Sequence, residues 1–220
     1  MWDGYICHSG NVPLIGGCFH PPYPATAALV RIFHKALTAM EVNMSNIVYI
    51  ATSIDGYIAD RHGGLDWLET VPNPENVDFG WSEFMNRIDA IVMGRNTFET
   101  VCGFACDWPY SKPVFVLSRS LQSVPNEYKD KAQLVKGALS AVLHEVHEAG
   151  HSQLYIDGGL TVQSFLKEDL IDEMIITTIP VLLGGGIALF RELPKTMEFA
   201  HVKTEVFLDA IVQSHYKRKR

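Results

Sequence analysis

Residues 156–165, I-D-G-G-L-T-V-Q-S-F, constrain the fold of this 220-residue chain more than any other stretch. Gln153, Leu154, Tyr155 and Ile156 form a short apolar run of the kind that makes a buried strand. Val162, Phe165 and Leu166 then follow at helical spacing. Gly158 and Gly159 lie between the two. A glycine pair lets the backbone turn sharply and lets a ligand approach the main chain. The first N–H groups of a helix have no internal partner and carry the positive end of its dipole, so such a gap favours phosphate. A tight turn without a ligand uses the same residues, so recurrence of the pattern is what gives it meaning.

The pattern recurs twice. Residues 90–93 (A-I-V-M) read as a buried strand running into Gly94-Arg95-Asn96-Thr97, and residues 112–117 (K-P-V-F-V-L) as one ending at Ser118-Arg119-Ser120. Arg95 and Arg119 offer planar donor forks that match phosphate oxygens, and Thr97 adds a hydroxyl. In open α/β sheets ligands sit beyond the carboxyl ends of the strands. Three phosphate-suited turns on one rim point to a ligand with several phosphates, such as a dinucleotide. Neither G-x-G-x-x-G with a later acid nor G-K-[ST] is present, which disfavours an ordinary Rossmann domain and a P-loop.

Along the chain, residues 46–52 read as a buried strand, 63–64 as a loop beside its end, 78–87 as a helix, and 138–149 as a helix stopped by Gly150. Residues 171–181 form a long apolar strand; 199–208 and 210–216 alternate around Asp209 as an antiparallel hairpin. The expected fold is α/β: a mixed, mostly parallel sheet of about eight strands flanked by helices, with the hairpin at one edge.

The first 43 residues differ, with a Pro21-Pro22-Tyr23-Pro24 cluster and four charged residues. Leu29, Ile32, Phe33 and Leu37 share one face of a possible helix at 25–40. Residues 1–43 are read as an extension and 44–220 as the domain. The net charge of −7 argues against nucleic acid, and the basic Lys217-Arg218-Lys219-Arg220 ending reads as a solvated tail. Cys7, Cys18, Cys102 and Cys106 form no C-x-x-C pair and read as free thiols of a cytoplasmic protein, with no metal site. His144, His147 and His151 lack the H-E-x-x-H order and read as a polar helix face. No run reaches transmembrane length, so no membrane association is expected.

Residues 91–99 (I-V-M-G-R-N-T-F-E), 117–120 (L-S-R-S) and 156–166 (I-D-G-G-L-T-V-Q-S-F-L) resemble the dihydrofolate reductase fold. Residues 53–59 (S-I-D-G-Y-I-A), 64–68 (G-L-D-W-L) and 180–190 (P-V-L-L-G-G-G-I-A-L-F) resemble more closely the reductase domain of bacterial riboflavin biosynthesis and its stand-alone relatives. The resemblance spans residues 44 to about 217. It implies NADPH as cofactor, a small pteridine, pyrimidine or related substrate reduced at a C=N or C=O bond, and a homodimer. By position it implies that Gly94, Arg95 and Thr97 meet the adenosine side, with Arg95 on the 2′-phosphate and Ser118 and Arg119 beside it. Gly158, Gly159, Leu160 and Thr161 would hold the pyrophosphate, the Gly63-Gly64 loop would cover the nicotinamide, and Ala51 would also meet the cofactor. The zinc deaminase motifs of the bifunctional riboflavin enzymes do not occur in these residues, and their ribose-phosphate-reading residues have no clear match.

Reduction leaves negative charge on a heteroatom that needs a proton. Asp78, sixteen residues before Gly94, fits the position of the dihydrofolate reductase carboxyl group; buried beside Phe79 and Trp81, it would have a raised pKa. Asp55, in S-x-D-G, is the rival, and Asp66 and Glu83 rank lower. Helix capping by Asp78 and a turn role for Asp55 are the structural alternatives. A dinucleotide-binding module without catalysis is the alternative function.

Overall fold

The structure, a computed structural model, describes residues 44–104 and 106–220. The extension at 1–43, with Cys7, Cys18 and the helix expected at 25–40, lies outside the described residues. Among these the strands are β1 (Ser45–Ser53), β2 (Tyr57–Ala59), β3 (Ala90–Gly94), β4 (Val114–Leu117), β5 (Ala132–Val135), β6 (Gln153–Asp157), β7 (Glu173–Ile179), β8 (Ile187–Ala188), β9 (Phe199–Phe207) and β10 (Ile211–Arg218). The helices are α1 (Trp81–Arg87), α2 (Arg95–Cys102), α3 (Leu139–Glu148) and α4 (Gly159–Lys167), with 3-10 turns at Asp66–Glu69 and Asn126–Tyr128.

The main sheet has the order β5-β4-β3-β6-β1-β7-β10-β9. Its first six strands are mutually parallel, and β10 and β9 close one edge antiparallel. This is the expected mixed α/β sheet with a C-terminal hairpin. Parallel strands are covered on both faces, which is why β3 and β6 read as unbroken apolar runs. Alternate residues face opposite sides. Val48, Val92 and Ile156 pack with Val142 and Val146 of α3 and Val162 and Phe165 of α4. Ile47, Ile91, Met93 and Tyr155 pack with Phe84 and Met85 of α1 and Phe98 of α2. α3 buries Leu139, Val142, Leu143 and Val146, the i, i+3, i+4, i+7 stripe of an amphipathic helix.

The sheet is split at its centre. β1 pairs with β7 over seven residues, from Ile47 to Ser53. It pairs with β6 over only three, Ser45, Asn46 and Ile47. Beyond Ile47 the two strands part, and a cleft opens towards their carboxyl ends. The Tyr155 hydroxyl crosses it, 2.9 Å from the Tyr49 carbonyl.

Three readings of the sequence need correction. α1 starts at Trp81, because Asp78 and Gly80 shape its entry. Residues 57–59 and 187–188 pair as a second, two-stranded sheet that the sequence reading missed; Leu189 N–H also donates to Gly56. The basic ending is only in part a solvated tail: Lys217, Lys219 and Arg220 are exposed, as expected, but Arg218 is not. Lys217 and Arg218 lie in β10, and the Arg218 side chain, 8% exposed, forms a forked pair with Asp169 at 2.8 and 3.0 Å. Arg220 pairs with Asp172 and Lys219 with Glu198. Asp169 and Asp172 of the α4–β7 turn, with Glu198 before β9, face the basic ending.

Two stability predictions follow from this packing. Arg218→Ala should destabilise the fold at neutral pH by removing the forked pair with Asp169. The Arg218 and Lys195 contacts hold the Asp169 carboxyl below its ordinary range. Their stabilisation is therefore complete above the ordinary aspartate pKa and fades as pH falls through and below it. Denaturant melts at pH 7 and pH 3 should show the Arg218→Ala penalty shrinking in acid; a penalty independent of pH would contradict the pairing. Gly158→Ala should cost about 3 kcal/mol, because Gly158 has φ +89° and an added Cβ would lie 2.1 Å from Thr97 Oγ1. Thr97→Ala in the same background should recover the steric part and leave the backbone strain.

Candidate functional site

β3 and β6 are parallel neighbours, so the turns that follow them lie side by side. Gly94 caps α2 and Gly158 caps α4, and neither helix start has a side-chain cap. A Cβ on Gly94 would lie 2.8 Å from Thr161 Oγ1, and one on Gly158 would lie 2.1 Å from Thr97 Oγ1. Each glycine thus receives the first-turn threonine of the other helix. The space the glycines leave is filled by protein, so their effect is to bring two helix starts into contact. Gly159 is enclosed as well: a Cβ there would lie 2.8 Å from Ile58 of β2 and 3.3 Å from Ile187 of β8. Leu160, 57% exposed, marks the open side of the α4 start. Two positive helix ends converge there, each with unpaired first-turn N–H groups.

The cationic groups lie on the same rim. Arg95 is exposed; its guanidinium is 3.1 Å from Ser120 Oγ and 3.7 Å from Glu99. Ser118 is buried, and its hydroxyl oxygen accepts the N–H groups of Ser120 and Leu121, which folds the β4 turn. Arg119 is exposed and has no ion pair or hydrogen bond among the described residues. Arg95, Ser120 and Arg119 therefore gather at one end of the two helix starts.

The two aspartates put forward as acids are both exposed, contrary to the expectation for Asp78. Asp78 accepts N–H groups from Gly80 at 2.9 Å and Ser82 at 3.2 Å, and these bonds hold its carboxyl below the ordinary range. Asp55 accepts the Ser53 hydroxyl at 2.6 Å and the N–H groups of Leu183 and Gly184 at 3.1 and 2.7 Å, which also lowers its pKa. Both stabilise their anionic forms through hydrogen bonds and shape the chain around them. Gly64 packs against Asp60, which accepts its N–H at 2.8 Å and that of His62 at 2.7 Å; the Gly63-Gly64 loop is thereby pinned. Asp66 and Glu83 are exposed.

The carboxyl group that the sequence reading passed over is Asp157, the last residue of β6. Burial pushes its pKa up, and the hydroxyls of Tyr155 and Tyr110 and the N–H of Gly158 oppose that shift. Tyr110 Oη lies 3.3 Å from its carboxylate. Burial and the Asp157 charge raise both tyrosines. An acid closing a strand whose three preceding residues are apolar, directly before a glycine pair, was the available signal.

Across the cleft from β6 lies a cavity of about 490 Å³, lined by Tyr49, Ala51, Leu68, Glu69, Val71, Pro72, Asn73, Phe79, Thr177, Ile179 and Ile211. Ala51 lies where β1 has parted from β6, which places it between cleft and cavity. Buried Gln213 donates to Thr177 Oγ1 at 2.9 Å and to the Phe79 carbonyl at 3.0 Å, and the Tyr49 hydroxyl donates to the same carbonyl at 2.8 Å. Of the chain's four tryptophans, three lie among the described residues: Trp67 stands near this cavity, and Trp81 and Trp108 pack together on the α1–α2 face. Among the described residues no helix is long and apolar enough to cross a membrane, and no group of three or more His, Cys, Asp or Glu is placed to hold a metal.

Comparison with known proteins shows the family and the fold. A solved structure of a putative riboflavin biosynthesis protein from Shewanella sp. PV-4 is 58% identical, with a TM-score of 0.79, covering 80% of this chain and all of that one. The uncharacterized protein YwjB of Bacillus subtilis is 39% identical over 78% of this chain and 97% of its own length. Dihydrofolate reductase from Enterococcus faecalis, solved with NADP(H), shares the fold at 16% identity with a TM-score of 0.55, covering 80% of this chain and 97% of that one. The family described as RibD C-terminal domain matches residues 46–212. The chain belongs to the RibD C-terminal domain family and has the dihydrofolate reductase-like fold.

Proposed function

We propose that this chain is an NADPH-dependent reductase acting on a C=N or C=O bond of a small heterocyclic substrate. The observation that carries the reading is the pair of uncapped helix starts at Gly94 and Gly158, locked together beside a split sheet and flanked by Arg95 and Arg119. The residues fit a dinucleotide. The Gly159, Leu160 and Thr161 N–H groups at the head of α4 suit a pyrophosphate. Arg95 and Arg119 suit a further phosphate at the adenosine end, which distinguishes NADPH from NADH. Ala51 and the parted edges of β1 and β6 suit a flat ring. When bound, the reduced cofactor supplies a hydride.

The chain's own contribution is a held proton. Burial pushes the Asp157 pKa up, which favours a proton on its carboxyl group, and Tyr110 Oη stands 3.3 Å from it. Asp157 is the group we assign to proton supply, in place of Asp78 and Asp55. A homodimer and a cytoplasmic location complete the proposal; exposed Val202, Val206 and Val212 on the β9–β10 edge offer an apolar surface for self-association.

Tryptophan-fluorescence titrations test the cofactor assignment. Wild-type protein should bind NADPH more tightly than NADH. Arg95→Ala and Arg119→Ala should each weaken NADPH about tenfold or more and leave NADH little changed, as expected for loss of a charge-assisted contact. Equal affinity for the two cofactors in the wild type would refute it. For Asp157 the sign is set by its raised pKa: the folded protein binds this proton more tightly than the unfolded chain does. Its stability contribution is complete below the ordinary aspartate range and declines as pH rises from there through the raised value. Asp157→Asn should abolish that decline, so melting temperatures from pH 4 to 9 should show the variant gaining on the wild type towards alkaline pH. Parallel curves would mean that Asp157 is already ionised.

A further inference from the structure

We infer that the cavity beside the cleft takes a flat heteroaromatic molecule that carries no phosphate and is neutral or positively charged. This rests on the reductase reading and narrows its substrate. The cavity, at about 490 Å³, suits a fused two- or three-ring system. Seven of its eleven lining residues are apolar: Ala51, Leu68, Val71, Pro72, Phe79, Ile179 and Ile211.

A phosphate needs an arginine or lysine, or an open run of N–H groups. Among the described residues the cavity has no lysine or arginine in its lining. Its lining amide is already engaged: Asn73 both donates to and accepts from the Val77 backbone. What charge there is has the opposite sign. Glu69 lines the cavity, and Asp78 is near enough to raise the pKa of Tyr49, another lining residue. Six of the eleven lining residues come from the segment 68–79. The stretch 66–83 carries Asp66, Glu69, Glu75, Asp78 and Glu83 and no lysine or arginine. Among the described residues, the groups suited to phosphate named above stand on the Arg95–Arg119 side. On the cavity side a phosphate would face like charge with no donor to offset it, which excludes phosphorylated ligands by repulsion as much as by missing contacts. Tyr49 and Thr177 are likewise tied, to the Phe79 carbonyl and to Gln213, so a neutral ring would be held mainly by apolar contact.

Riboflavin and its 5′-phosphate make a matched pair of probes, because they differ only in the terminal phosphate and report binding through flavin fluorescence. Each is titrated into the full chain with and without saturating NADP⁺. Riboflavin should bind at least about tenfold more tightly than the phosphate. Glu69→Lys should bring the two within about threefold of each other by strengthening the phosphate form. Equal or tighter binding of the phosphate by the wild type, or no binding of either flavin, overturns the inference. NADP⁺ binding is measured separately. Its absence sinks the reductase reading, while the titrations without NADP⁺ still report on the charge of the cavity.

Discussion

Gly158 has no room for a side chain, because Thr97 of the neighbouring helix stands where its Cβ would be. Gly94 stands in the same relation to Thr161. This reciprocal contact sets the distance between two parallel strand–helix units and fixes where their helices begin. With larger residues the turns would have to separate, and the two helix dipoles would no longer share one point on the rim. The glycines act through packing, and the anion-attracting field is its consequence.

The same rim is electrically divided. On one side of the central cleft stand Arg95 and Arg119; on the other, the wall 66–83 carries only acids. Between them is Asp157, held by Tyr110 and Tyr155 where burial favours its proton. The division has a topological origin. β1 leaves β6 after Ile47 to stay with β7, and the opening separates the half that carries Arg95 and Arg119 from an apolar, negatively edged half. One ligand can thus lie across the cleft and meet another on its far side.

The parallel centre of the sheet and the closing hairpin were legible because β3, β6 and β10 carry strong periodic patterns bounded by glycine or turn residues. The two glycine turns were legible for the same reason, though not what occupies their space: Thr97 and Thr161 are distant in sequence from the glycines they fill, and only strand order brings them together. β2 and β8 were missed because two and three residues carry no usable period. The burial on which a raised Asp78 pKa depended was not legible, since the orientation of a helix entry depends on Asn73 and Gly80 as much as on Phe79. The basic ending looked solvated because Asp169 and Asp172, its partners, lie about fifty residues away. Asp157 escaped notice because attention to a glycine pair passes over the residue before it.

The account stands or falls on a dinucleotide resting against the two joined helix starts. Hydrogen–deuterium exchange with and without NADPH measures this directly, peptide by peptide. Slowed exchange should concentrate in residues 94–97, 118–121 and 157–161, with the wall at 66–79 much less affected. Unchanged exchange at 157–161 under saturating NADPH, or protection confined to the acidic wall, would contradict it.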